Sequence, residues 1–202
     1  MNTRLSFEDI KKEIKDLKKI GEGWRGIVYS GYLDGEKLAF KVPSEPIHKQ
    51  AIKKEGEILK IVNKEGIGGK LLLEGEDFIA YRFIEGKHFK DVINKQNAKH
   101  LLSQILNQAR KLDLIGINKE EMHRLHKNVI VDENLNAYLI DFERSKKTKN
   151  LQNVTQFLQY LLYSGSQYYP VEDRDRLIQL AKEYKKDRSE ENFQKIRDFL
   201  KL

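Results

Sequence analysis

The chain has 202 residues, a formal net charge of +7, 39% hydrophobic and 34% charged residues, and no cysteine. That length and apolar content suit one domain or two small lobes with a real core, and they exclude a disordered chain. Without cysteine there is no disulfide framework, thiol nucleophile or thiolate metal site. No run approaches the roughly 18 apolar residues of a membrane span, and MNTRLSFEDIKKEIKDLKK lacks the apolar core of a signal peptide, so a cytoplasmic protein is expected. The positive charge attracts polyanions, nucleotides and RNA among them. Most of it is Lys interleaved with Glu, the pattern of solvated helix faces. No RGG tract, zinc knuckle or aromatic stacking motif points to dedicated nucleic-acid readout.

Ser6 and Asp9 predict a helix capping box, and Phe7, Ile10, Ile14 and Leu17 recur on one face of a short amphipathic helix. Gly21, Gly23 and Gly26 then form GxGxxG, with Val28 two residues beyond. A dinucleotide fold needs a helix after the last glycine. Here Ile27 to Leu33 reads as a strand, Asp34-Gly35 as a hairpin turn, and Lys37 to Val42 as a second strand. Glycines between strands let a backbone close over phosphate without a Cβ in the way. Lys41 is either solvent-facing on a half-buried strand or a cation for phosphates, which needs a carboxylate to hold it. The helix predicted over Ile47 to Asn63 supplies Glu55 and Glu57.

Phe89 to Ile93 reads as a short helix, and Asn97 starts a longer one with Leu101, Leu102, Ile105, Leu106, Ala109 and Leu112 on its apolar side. The stretch Asn128 to Glu143, NVIVDENLNAYLIDFE, predicts a hairpin of Val129 to Val131 and Tyr138 to Ile140. Antiparallel pairing brings its ends together, so Asn128 and Asp141 could grip Mg²⁺, which takes few protein oxygens. The alternative is a surface hairpin with polar ends. Helices follow over Asn153 to Tyr163 and Val171 to Tyr184, and Ser189 offers the N-cap of a last one.

The order of GEGWRGIV, LAFKV, EGEIL, FIAYRFIEG, NVIV and IDFE resembles that of protein-kinase-like folds, over roughly Lys18 to Gly165. Within that group the chain is similar to small atypical kinases: archaeal predicted serine/threonine kinases, RIO proteins and lipopolysaccharide-kinase-like proteins. The resemblance implies an α+β, reduced two-lobe fold, with a small antiparallel β N-lobe over 1–84 and a mostly helical C-lobe over 85–202. It implies an ATP- and Mg²⁺-dependent phosphotransferase, serine/threonine-kinase-like, with an unknown acceptor. In it Gly21, Gly23 and Gly26 cover phosphate, and Lys41 contacts phosphate and pairs with Glu55. Val28, Ala39, Tyr81 and Phe83 meet the nucleotide, and Asn128 and Asp141 hold metal.

Two departures accompany it. The position five residues before Asn128, where kinases carry the catalytic Asp, is His123. Reading by local pattern instead makes Glu121 the acid and Met122 its apolar anchor, with two extra loop residues. Glu121 is favoured as base, with His123 and His126 as alternatives. DFE replaces DFG at Asp141 to Glu143, and no APE-like sequence follows. A nucleotide-binding pseudokinase acting as a regulatory module, or a chain docking on RNA or an RNA-modifying complex, are the competing expectations.

Overall fold

The computed structural model describes residues 4–202. The chain is α+β and divides into two compact units. One contains the described residues up to Ile84 together with Asp141–Arg144; the other contains Glu85–Ile140 and Ser145–Leu202.

The first unit opens with α1, Phe7–Ile10, whose capping box joins Ser6 and Asp9 in both directions. The predicted helix does not reach Leu17. A 3₁₀ turn covers Lys11–Glu13, and strand β1, Lys15–Glu22, takes Leu17. The apolar spacing served packing against the sheet rather than a continuous helix. β2, Gly26–Leu33, and β3, Glu36–Pro43, form the hairpin around Asp34-Gly35, both with positive φ as this turn demands. Helix α2, Lys49–Val62, follows, then β4, Leu71–Glu74, and β5, Ile79–Arg82. The five strands form one antiparallel sheet in the order β1-β2-β3-β5-β4.

β3 is the central strand, and both of its faces are covered. Leu38, Phe40 and Val42 pack with Phe7, Ile10, Ile14 and Phe78 in one apolar cluster. Strand residues alternate sides, so Ala39 and Lys41 turn to the opposite face. That is the face of α2, and Lys41 is accordingly buried, which removes the solvent-facing alternative.

The second unit is mostly helical. Its main helices are α3, Ala98–Leu114; α5, Asn153–Leu162; α6, Arg174–Lys186; and α7, Glu190–Leu200. Ser189 caps α7 by accepting from the Asn192 N–H. Short pieces complete it: β6, Lys87–His88; β7, Ile117–Asn118; α4, Leu125–Asn128; β8, Val129–Val131; β9, Ala137–Leu139; and β10, Lys146–Lys147. β8 and β9 make the predicted hairpin, with Val129 opposite Leu139 and Val131 opposite Ala137. Its turn is held by Asp132, whose Oδ1 accepts from the Asn134 and Asn136 amides. Among the described residues no helix is long and apolar enough to cross a membrane.

Candidate functional site

The first unit gathers charges around one ammonium group. Lys41 Nζ lies 2.6 Å from Glu55 Oε2, 3.5 Å from Asp141 Oδ1 and 3.3 Å from Glu143 Oε2. Backbone geometry delivers each member. Lys41 pairs with Val28 across β2–β3, and a Cβ on Gly26 would stand 3.0 Å from Lys41 Cε, so glycine there leaves room for the lysine stem. Gly56 lets α2 approach the sheet, since a Cβ there would meet Ile79 and Glu74 at 3.0 and 3.2 Å. The close approach brings the neighbouring Glu55 to Lys41.

Asp141 and Glu143 are fixed through Phe142. Its ring is buried and lies against Gly68, and its N–H donates to Glu55 Oε1 at 3.1 Å. Asp141 holds a left-handed backbone, φ 62°, a conformation Asp tolerates better than most residues. Glu143 is not among the positive-φ residues, so replacing the glycine of DFG causes no backbone strain.

The electrostatics follow from burial. Burial works against the Lys41 charge, but Glu55 and then Asp141 outweigh it and hold the ammonium above the usual lysine range. Burial pushes the Glu55 carboxyl up, while Lys41 pulls it down. Geometry favours the ion pair, because each Glu55 oxygen faces a donor, the ammonium on one side and the Phe142 amide on the other. Tyr81, in β5 opposite Ala39, has a half-buried ring, and burial of its hydroxyl, with Glu55 nearby, raises the phenol.

The other predicted nucleotide residues lie in the same sheet. Gly21 is opposite Val28 in β1–β2, and Gly23 lies in the turn between those strands. Phe83 follows β5; its N–H donates to Lys37 O, and Lys37 Nζ sits 4.2 Å over its ring. The Phe83 amide is therefore engaged by β3 and its ring by Lys37.

The predicted loop residues belong to the second unit. Asn128 ends α4, is buried, and its side chain donates to Arg124 O. Glu120 and Glu121 both have left-handed backbones, φ 63° and 56°. Two such residues in sequence are costly without glycine and are concentrated at functional sites. Met122 is fully buried, as an anchor requires, and its N–H donates to Gln156 Oε1. Glu121 faces Arg124 at 3.8 Å. His123 is half-buried with Nδ1 enclosed and unbonded. His126 packs tilted against Phe89 and edge-on to Tyr160, lies 3.3 Å from the Tyr160 hydroxyl, and burial lowers its pKa, a packing role.

Sequence reasoning missed Glu143 as a member of the charge cluster, and with it Arg25, whose Nε lies 3.8 Å from Glu143 Oε1. The available signal was an acid two residues after Asp141, a spacing that keeps both side chains near one lysine. Carboxylate oxygens of Glu55, Asp141 and Glu143 lie within 4.8 Å of one another. Asp141 is half exposed, and its carboxylate oxygens are of the kind a hard cation takes. The donor set fits Mg²⁺.

No protein-family model matches the chain. The Bacillus subtilis protein named "Putative serine/threonine-protein kinase YrzF" is 25% identical over 145 residues, 71% of this chain and 66% of that protein. A Dictyostelium discoideum protein named a probable serine/threonine-protein kinase is 27% identical over 165 residues, 72% of this chain. The chain thus spans just under two thirds of the first relative and 18% of the second. MJ1211, an uncharacterised protein of Methanocaldococcus jannaschii, is 31% identical over 86 residues, 41% of this chain and 72% of that protein.

Proposed function

This chain belongs to one family with the Methanocaldococcus jannaschii protein, its more distant relatives support a kinase-like family, and we propose that it is an ATP- and Mg²⁺-dependent phosphotransferase. The observation that carries the reading is the buried Lys41–Glu55 pair at 2.6 Å, with Asp141 3.5 Å from the same ammonium. A buried lysine held charged by a fixed carboxylate is a pre-positioned phosphate contact, and phosphoryl transfer depends chiefly on positioning and charge stabilisation.

In this reading Lys41 meets phosphate oxygens and Glu55 keeps its ammonium in place. Asp141 holds the metal, with Asn128 the second ligand by motif order. Mg²⁺ held there would supply charge neutralisation and orientation for the phosphates. An acceptor hydroxyl oxygen bonds to the γ-phosphorus, the bond to the β–γ bridging oxygen breaks, and Glu121 takes the hydroxyl proton. A general base contributes about 10²–10⁴-fold.

The test is ATP binding and radiolabelled γ-phosphate transfer across a panel of protein and small-molecule acceptors. Lys41→Ala and Asp141→Ala should each abolish transfer and weaken Mg²⁺·ATP binding. Glu121→Gln should lower turnover on the order of 10²-fold with ATP affinity kept. Should His123→Ala instead stop transfer while Glu121→Gln does not, the base is His123. Binding indifferent to both Lys41→Ala and Asp141→Ala overturns the reading. ATP binding that depends on Lys41 but never leads to transfer assigns the chain a pseudokinase role.

A further inference from the structure

Glu143 occupies an unusual place for a loop carboxylate. Its side chain is only 13% exposed, and its two oxygens face two different cations, Lys41 at 3.3 Å and Arg25 at 3.8 Å. Arg25 is 43% exposed on the turn between β1 and β2, and that turn is tied down at several points. Gly23 N–H donates to Gly26 O at 2.8 Å, Ser44 N–H to Arg25 O at 3.0 Å, and the Ser44 hydroxyl to Trp24 O at 2.9 Å. The turn closes on itself, which engages the Gly23 amide internally. A charged ligand arriving there finds the Arg25 side chain instead.

A carboxylate and a phosphate present the same anionic oxygens to ammonium and guanidinium groups. Both cannot share one pair of cations at these distances, because like charges this close repel strongly away from bulk water. We infer that Glu143 is a tethered anion filling a phosphate subsite made by Lys41 and Arg25, so that nucleotide phosphate binds by displacing it. Arg25 is then a phosphate-binding residue, and DFE is a built-in brake on nucleotide entry. This deepens the proposed function and rests on it for the identity of the displacing ligand.

An internal ligand that fills a subsite nine-tenths of the time weakens an external one by about tenfold. Glu143→Gln keeps the shape and removes the charge, so it should tighten Mg²⁺·ATP by about that factor and leave adenosine, which has no phosphate, unchanged. Arg25→Gln should weaken ATP and not adenosine, and in the Arg25→Gln background the gain from Glu143→Gln should shrink. Calorimetric titration of the full chain with ATP and adenosine, with Mg²⁺ and with EDTA, reads all of this, and adenosine binding verifies that each variant is folded. Equal ATP affinity in wild type and Glu143→Gln overturns the brake while leaving the proposed function intact. ATP weakened by Glu143→Gln only when Mg²⁺ is present also overturns it and makes Glu143 a metal ligand. ATP binding unaffected by Lys41→Ala, or absent from both wild type and Glu143→Gln, brings down the proposed function and the brake together.

Discussion

Each unit buries a charged network, and the two networks are built to different ends. In the second unit Arg110 is 6% exposed and donates to the Tyr184 hydroxyl, Arg188 O and Glu190. It also lies over the Tyr184 and Phe193 rings. Tyr184 in turn donates to Asp113 at 2.7 Å, and Asn153 donates to Asp113 and to Ile117 O. Burial pushes the Asp113 carboxyl up, against the pull of Tyr184 and Asn153. These contacts tie α3, α5, α6 and α7 together. In the first unit Glu55, Asp141 and Glu143 converge on Lys41, and Asp141 is half exposed. The Arg110 network is enclosed by packed helices, whereas the Lys41 cluster reaches the surface at Asp141 and is the one the proposed nucleotide would touch.

Breaking the cluster in the first unit should give the largest effect. Lys41→Met strands Glu55 in the interior, and losing one partner of a buried pair costs about 3–5 kcal/mol. Lys41→Met with Glu55→Leu should recover most or all of that loss, because an apolar replacement of both partners removes the desolvation cost. Urea unfolding with a constant m-value reads both. If the double variant is no more stable than the single, the cluster contributes to stability as the second unit's network does, and the contrast fails.

Asp113→Ala should cost less, about 1–3 kcal/mol for the Tyr184 and Asn153 donors it leaves unsatisfied. Mg²⁺·ATP should raise the melting temperature of wild type and of Asp113→Ala alike, since a ligand of the folded state acts by mass action, so the gap between them persists. Lys41→Ala, which weakens binding, should gain less. Thermal melts of all three with and without Mg²⁺·ATP make the comparison.

The smallest effect belongs to Asp132, a mostly solvated turn residue. Slight burial works upward on its carboxyl, and the Asn136 and Asn134 amides with the Tyr138 hydroxyl outweigh it, holding it below its ordinary 3.8. A lowered carboxyl contributes stability above its ordinary value and loses it as pH falls through the lower folded one. Asp132→Ala should therefore cost about 1 kcal/mol at pH 7 and progressively less as the pH falls below 3.8. A cost that persists in acid would mean the turn depends on the side chain's shape, not its charge.

Local signals were legible wherever one short stretch contained its own cause. Asp34-Gly35 and Asp132 to Asn134 announced hairpins, Ser6 and Ser189 announced caps, and α2, α3 and α5 followed their apolar periodicity to within a few residues. Phe7 to Leu17 misled, because Ile14, just before β1, and Leu17, within it, pack on the same apolar cluster as Phe7 and Ile10 without continuing their helix. The glycines, Lys41, Glu55 and Asp141 stood out by type and order, whereas Arg25 and Glu143 looked like ordinary surface charges.

By itself, then, the sequence determined the hairpins, the main helices and the residue types able to meet phosphate and a hard cation, since these depend on neighbours within one or two turns of chain. Only the tertiary structure decided that Lys41 is buried, because α2 packs over its face of β3 and brings Glu55 to its ammonium. It alone placed Glu143 between Lys41 and Arg25, which meet it from more than a hundred positions upstream. Coulomb interaction depends on distance in space, and no local pattern records which distant charges the packed backbone will bring within 4 Å.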